Sequence, residues 1–539
     1  MVNPSQFPRR DSKNIEAWLV GSGIASLTSA IHLIKDAKVP AGNIHILDSS
    51  PESGGGLKTH GDATDGYFLH MDGNPHFHGE CVERLLSMIP DNVNSEKSVM
   101  DMIRERSQAE TEVRPAQARA VKQGAMGAEL YHTHGFQIGI KHRMGLVTMM
   151  MESEMSLGKK KIEDMFDKSL FQTSFWMLWS STFALQPWHS AIEFKRHLRK
   201  YLEDISSLNS VKTTNRTEFN FFESAVGPLT TYLKDEGVDF RFNIRVTDLQ
   251  CYPDGDPTTI SAIELLKSGQ EELITVDPTD IVIMGLGSVN AGVVYGANKS
   301  PPPPLASNWE DLLTSDWKLW TKLSKKSLKF GNPTNFISRI PESTIETFTT
   351  TFTGPGFPAA YENLTHDKPG TGSLLSLTGS TWSMTLCIPH QPVFSTQPEN
   401  TTVMMGYALN PTAPGNYIKR PMCECTGEEI LSEVCSHLGI PTSNATTILE
   451  NAKTIPCGMP LGTAPFLTRG AHDRATVLPS PSTNFACVGQ FVEIPGDTTL
   501  EVEYSVRGAQ MAVAELMGMK EKPPKPRRSL LMEVLDLII

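Results

Sequence analysis

The stretch from Ala17 to Leu57, AWLVGSGIASLTSAIHLIKDAKVPAGNIHILDSSPESGGGL, constrains this chain more than any other. Ala17 to Val20 are apolar and run into Gly21-Ser22-Gly23, after which Leu27, Ala30, Ile31 and Ile34 recur at helical spacing. A second apolar run, Ile44 to Leu47, ends on Asp48. The order strand, glycine turn, helix, acid-ended strand is that of a dinucleotide-binding βαβ unit. Gly21 permits the tight turn, Gly23 lets backbone approach a pyrophosphate, and the helix N-terminus favours that anion. Ser26 stands at the third fingerprint position in place of Gly or Ala, a small departure. Asp48 follows Gly23 by about 25 residues, near the ~20 expected of a carboxylate that binds ribose hydroxyls. The second turn, Ser53-Gly54-Gly55-Gly56, suits backbone packed against a bulky ring system, so Gly55 and Gly56 favour a flavin over a nicotinamide. A flexible loop is the plainer alternative for those glycines.

At 539 residues the chain exceeds one core, and two or three domains are expected. Hydrophobic residues at 39% and charged residues at 20% fall in the globular range rather than the disordered one. A formal net charge of −12 argues against nucleic acid as a partner. Residues 1–14 lack the apolar segment of a signal peptide, and no apolar run reaches the ~18 residues a membrane span needs. The eight cysteines are scattered, and Cys423 and Cys425 are too close together for the usual metal spacing. A cytoplasmic protein with reduced thiols and no metal is the expectation.

Residues 65–80, DGYFLHMDGNPHFHGE, follow the triple glycine and would lie beside the flavin ring. His76 and His78 could share one face of an extended segment, yet no further ligands cluster nearby, so cofactor-contacting or solvated roles are favoured over a metal. Residues 82–90 look like a short amphipathic helix, and 91–125 read as a charged, irregular surface loop. Between Ile162 and Tyr201 aromatic residues are dense, among them Phe171, Phe175, Trp176, Trp179, Phe183 and Trp188. Such a block is core, the wall of a long apolar substrate pocket, or both; Trp179, Phe183, His189 and Phe219 are the candidate substrate contacts. Residues 225–250 return to a nucleotide-domain pattern, and Asp280 to Met284 form a buried strand ending in Gly285-Leu286-Gly287-Ser288, with Gly287 and Ser288 approaching the cofactor. Pro301 to Pro304 mark a linker, and 372–410 alternate as antiparallel strands. Near the end come a strand, Phe485 to Val488, then Glu493, Pro495-Gly496-Asp497 and a long helix from about Glu501 to Met517. Glu493 and Asp497 are candidate cofactor contacts there. The basic tail from Lys520 to Arg528 precedes SLLMEVLDLII, which could rest on an anionic membrane surface or dock on protein.

Several stretches together resemble the FAD-dependent oleate hydratase family, also called the myosin-cross-reactive antigen family. They are GSGIASL at 21–27, FWMLWSSTFALQPWHSAIEFKRHL at 175–198, GVDFRFN at 237–243, TWSMTLCIPHQPVF at 381–394, KRPMCECTGEEI at 419–430, and NFACVGQFVEIPGD through EVEYSVRGAQMAV at 484–513. The resemblance implies an α/β fold: a discontinuous Rossmann-like FAD-binding domain with an inserted α+β substrate domain and a C-terminal helical element. The expected partition is 12–100 and 226–300 for the FAD-binding domain, with closure at 456–519. Residues 101–225 would be a helical and 301–455 a strand-rich part of the substrate domain, and 520–539 the tail. It further implies FAD as cofactor, commonly a homodimer, and a long unsaturated carboxylic acid as substrate. Water would add across its C=C bond without net redox change, the flavin being an organising and electrostatic element.

Departures from the family pattern bear on the chemistry. The family's R-G-G-R-E-M loop, whose Glu activates water, aligns with His70-Met71-Asp72-Gly73-Asn74-Pro75. The family's Y-N-Q-Y segment, whose tyrosine protonates the alkene, aligns with Phe219-Asn220-Phe221-Phe222. Asn74 cannot accept a proton and Phe222 cannot donate one, and losing either role should cost on the order of 10²–10⁴ in rate. Asp72, His76, Glu218 or Glu223 could substitute. Otherwise the scaffold serves double-bond isomerisation or pericyclic cyclisation of a polyene, or binds FAD and lipid without turnover. An ordinary flavin oxidase or dehydrogenase fits the resemblance less well.

Overall fold

The computed structural model describes residues 10–70, 76–77, 79–92, 94–109, 119–124, 127–131, 138–201, 215–499 and 501–526. Its first layer is a five-stranded parallel sheet in the order Phe485–Val488, Ile281–Gly285, Ala17–Val20, Ile44–Leu47, Asp239–Arg241. These strands come from four separated parts of the chain. All but the edge strand Asp239–Arg241 are almost wholly buried runs, as expected where helices cover both faces of a parallel sheet. The helices Ile24–Lys35 and Val502–Leu516 pack side by side on this sheet. An antiparallel three-stranded sheet, Ile244–Tyr252, Thr259–Lys267 and Gln270–Thr275, lies between the edge strand and Ile281–Gly285 in sequence.

The second layer system is an eight-stranded sheet in the order Val294–Tyr295, Ala452–Met459, Ile345–Thr353, Thr401–Ala408, Met384–Cys387, Leu374–Leu377, Arg119–Gly124, Gly127–Tyr131. It is antiparallel except between Leu374–Leu377 and Arg119–Gly124. One face packs on the helix Gly427–His437 through Phe348, Phe352, Leu386, Ile430 and Val434. The other face meets the aromatic helix Ser174–Phe183 through Ile345, Tyr407, Trp176 and Trp179. The aromatic block is therefore core between sheet and helices.

The strand Ile345–Thr353 sits between these faces and is threonine-rich. β-Branched residues fit a pleated, buried strand, and the hydroxyls do a second job. Thr351 Oγ1 accepts from Tyr67 N–H (2.8 Å) and Thr349 Oγ1 from Leu69 N–H (3.1 Å). Those bonds fix the strand Gly66–Phe68, which follows the second glycine turn, onto the eight-stranded sheet.

Charges lock the remaining junctions. Glu503, at the start of the late helix, accepts from the N–H groups of Cys81 (3.2 Å) and Val82 (2.9 Å) at the head of the helix Glu80–Ser87. Arg507 binds Glu503 (2.7 Å) and Asp497 (3.0 Å). Arg196, on the helix Ala191–Tyr201, is 2% exposed and contacts Glu154 (2.6 Å) and Glu493 (2.5 Å). Burial opposes charge on Glu493, but Arg469, Arg196 and Arg474 together hold its carboxyl down at about 2.

One local expectation is corrected, and one alternative gains a contact. Residues 91–125 are not simply irregular: Val99–Ala109 is a helix whose buried Val99, Met100 and Ile103 hold it to the nucleotide core. The start of the tail docks on the body: Lys522 pairs with Glu515 (2.7 Å), and Arg507 Nη1 donates to the carbonyl of Pro524. Residues 527–539, which include the proposed membrane-resting segment, lie outside the described residues. Among the described helices none is long and apolar enough to cross a membrane, all eight cysteines are free, and no described cluster of His, Cys, Asp and Glu could hold a metal.

Glu346, on the strand Ile345–Thr353, is fully buried, and among the described residues neither carboxylate oxygen has a hydrogen-bond partner. Burial raises its carboxyl from 4.5 to about 8. The folded state thus holds this proton more tightly than the unfolded chain does. Stability is full below about 4.5 and is lost as pH rises toward 8. Glu346→Gln should remove that slope. The variant should melt near the parent at pH 5 and above it at pH 8.5, by on the order of a few kcal/mol in urea titrations.

Candidate functional site

A cavity of about 360 Å³ opens at the carboxyl ends of the parallel strands, where open α/β sheets take their ligands. Its walls are the first glycine turn, Val20 to Ser26; the end of the second strand, Leu47 to Ser50; and the second turn, Gly54 to Leu57. Gly285 to Ser288, Asn290 and Ala291, Ile244 and Val246, Thr314 to Asp316, Leu319, Gly489, Gln490, Val502 and Ser505 complete it.

Backbone contact builds the floor. A Cβ added at Gly55 would meet Gly23 Cα at 3.0 Å, and Gly55 holds a left-handed φ of +56°. Gly54 N–H donates to Ser22 O (3.0 Å), and Gly21 N–H to Leu47 O (2.8 Å). The two glycine turns are thus pressed together and bonded, and the start of the helix Ile24–Lys35 opens into the space between them. Gly23 caps that helix without a side-chain hydrogen bond, so its first N–H groups and the positive end of its dipole serve the cleft.

Asp48 accepts from Ser22 N–H and Ser22 Oγ, both at 2.6 Å on Oδ2, and from Ser50 N–H (2.7 Å) on Oδ1. It therefore ties the strand end to the glycine turn as well as lining the cleft. Asn290 Nδ2 donates to Gly56 O (3.3 Å), while its buried Oδ1 has no partner among the described residues. Such an orphaned acceptor beside the second turn fits a ligand that carries a donor there. A glycine cradle, a helix N-terminus, a strand-end carboxylate and this acceptor match what a flavin dinucleotide needs.

Phe222 enters from outside the motif. It begins a short π-helical turn, Phe222–Val226, a distortion frequent at functional sites. A Cβ on Gly54 would lie 2.5 Å from Phe222 Cε2, so the ring rests on the backbone of the second glycine turn. His76 pairs with Arg216 through backbone, which brings the segment after the 70–75 loop beside the segment leading to Phe219. Asp72, Gly73 and Asn74 lie outside the described residues, as does the His76 side chain.

Matching residues 14–514, the MCRA family accounts for most of the chain. The chain belongs to this family. It is 30% identical to an oleate hydratase of Streptococcus pyogenes serotype M49 (strain NZ131), over 94% of this chain and 86% of that protein. It is 28% identical to a linoleate hydratase of Lactiplantibacillus plantarum, over 94% of each. Among solved structures, cyclohexylamine oxidase from Brevibacterium oxydans IH-35A superposes with a TM-score of 0.53 at 11% identity, covering 95% of this chain and 99% of that one. A single-site mutant of putrescine oxidase gives 0.51 at 11%, over 93% and 98%. These likenesses are of fold.

In this MCRA chain Gly21, Gly23, Ser26, Asp48, Gly55, Gly56, Gly287 and Ser288 all line the one cleft. Glu493 and Asp497 are absent from its described lining and sit in the buried ion pairs above. Trp179 and Phe183 are buried in the aromatic core. His189 is fully buried, accepts from Gln186 N–H (2.9 Å) on Nδ1, and is pushed down to about 3 by burial. Phe219 is half-buried, with its N–H donating to Ser224 Oγ (3.0 Å). Glu218 pairs with Arg106 (2.7 Å), and Glu223 accepts from Asn220 Nδ2 (3.0 Å) and Ser395 N–H (2.9 Å).

Sequence reasoning missed Asn290, three residues beyond Gly287, and the pair formed by His70 and Tyr295. Tyr295 Oη lies 3.3 Å from His70 Nε2. Burial, with His60 nearby, lowers His70 to about 4, and burial raises the Tyr295 phenol.

The cradle leads to a direct expectation. Gly55→Val places a branched side chain against Gly23 at a left-handed φ. It should weaken FAD binding at least tenfold by fluorescence quenching and lower stability by about 1–3 kcal/mol.

Proposed function

We propose that this protein is an FAD-binding enzyme that acts, without net redox change, on a C=C bond of a long unsaturated carboxylic acid, as a hydratase. The observation that carries this is the glycine-cradled cleft of an MCRA-family chain whose curated relatives are an oleate and a linoleate hydratase. When bound, FAD would supply a flat, polar floor that orders the site and its charges. Gly21 to Ser26 would hold its pyrophosphate, Asp48 its ribose, and Gly55, Gly56 and Asn290 its ring end.

Adding water to an isolated alkene needs a proton donor toward carbon and a base on the water. At the positions matching the family's pair stand Asn74 and Phe222, and neither can serve. The Phe222 ring lies against the second glycine turn, which supports this position as part of the reacting region. The phenol of Tyr295, hydrogen-bonded to His70 where the 70–75 loop begins, offers a donor and a neutral base in their stead.

A second reading follows from the same ring. An apolar Phe222 on the cofactor floor suits chemistry driven by orientation, such as isomerisation or cyclisation of a polyene, since positioning alone is worth several kcal/mol.

The test is incubation with FAD, a reductant, and oleic or linoleic acid, read by mass spectrometry. A product heavier by one water is expected. Tyr295→Phe should reduce its formation by about 10²-fold or more, and Asn74→Glu with Phe222→Tyr should increase it by a similar factor. A product of unchanged mass with shifted ultraviolet absorption would replace hydration by isomerisation or cyclisation. FAD binding with no conversion of either acid would leave a binder rather than a hydratase.

A further inference from the structure

The cleft has a second acidic wall that the glycine motifs do not explain. Asp316 is the second residue of the helix Ser315–Lys326, remote in sequence from the βαβ unit, yet it lines the same cavity as Asp48. Ser315 Oγ lies 2.8 Å from Ser49 Oγ, which pins the start of this helix to the residue after Asp48. Thr314 Oγ1 donates to Asp316 Oδ1 (2.5 Å) and sets the side chain. Burial raises the Asp316 carboxyl above the ordinary range, against the hydrogen bonds from the Thr314 hydroxyl and the backbone N–H groups of Asp316 and Trp317 that lower it, and the charge of Asp48 adds a smaller push upward.

Asp48 cannot serve a nucleotide fully by itself. An ionised carboxylate offers about four acceptor positions, and Ser22 N–H, Ser22 Oγ and Ser50 N–H already take three. A ribose presents two hydroxyl donors and adenine an amine. Beside the two acids, Ile244, Val246, Leu286 and Leu319 give apolar walls suited to the flat face of a base. Acceptors flanking an apolar slot are what an adenosine requires. The same two carboxylates would repel a phosphate on the ribose 2′ oxygen.

We propose that Asp316 is a second nucleotide-reading carboxylate of this cleft. Together with Asp48 it takes the adenosine half of the dinucleotide and excludes adenosine bearing a 2′-phosphate. The proposal rests on the dinucleotide reading of the cleft but does not require the flavin half.

Isothermal titration of the full-length protein with FAD, AMP and adenosine 2′,5′-bisphosphate tests it, with thermal melts confirming that each variant folds. The parent should bind FAD and AMP, and bind the bisphosphate at least about tenfold more weakly than AMP. Asp316→Ala should weaken FAD and AMP by at least fivefold, an effect in line with loss of one hydrogen bond to a charged group. Asp316→Asn, which keeps the shape and drops the charge, should narrow the AMP-to-bisphosphate ratio by at least fivefold. Smaller changes in both variants, or no AMP binding by the parent, would overturn the proposal. AMP binding that responds to Asp316 in a protein that does not bind FAD would uphold it and remove the flavin reading instead.

Discussion

The contact on which this molecule depends is backbone against backbone: Gly55 lying on Gly23, with Gly54 bonded to Ser22. Any side chain at Gly55 would push the two turns apart and fill the space between them. With none present, one helix N-terminus and two stretches of peptide face a single cleft. Asp48 then fastens the first turn to the end of the neighbouring strand Ile44–Leu47, so the cradle is stiff before any ligand arrives. The rest of the fold serves this arrangement. The parallel sheet fixes the strand ends, and the late helix Val502–Leu516 backs the first helix.

Around that cradle the chain uses its buried charge for anchoring. Arg196, Arg469 and Arg474 converge with Glu193 and Glu493 where the inserted helices meet the segment leading to the last helix. Removing one member would leave a buried charge without compensation, which is costly. Glu503 meanwhile caps the helix Glu80–Ser87 with a carboxylate at its positive end. These groups shape the site from a distance without touching the cleft. The threonine row of Ile345–Thr353 plays the matching part on the other side, carrying the strand that leads out of the second glycine turn.

Local patterns were legible in the sequence because they are set by local physics. The helix Ile24–Lys35, the strand ends at Asp48 and Gly285 and the late helix follow from periodicity and glycine spacing, and the discontinuous nucleotide fold from the family resemblance. What escaped was set by distant partners. Glu493 and Asp497 sit close in sequence to the glycine turn at Gly489, and their ion pairs with the buried Arg196 and Arg507 could not be read from that spacing. The helix Val99–Ala109 hid because, among its described side chains, the buried ones are Val99, Met100 and Ile103 amid charges. Asp316 and Asn290 carry no motif at all, and only the folded chain brings them to the cleft, as only the folded chain brings Tyr295 to His70.

A crystal structure of the protein grown with saturating FAD tests the central claim most directly. Pyrophosphate density is expected at the start of the helix Ile24–Lys35, with an isoalloxazine ring against Gly55, Gly56 and Asn290. Density for FAD at any other place, or none in this cleft at saturation, would contradict it.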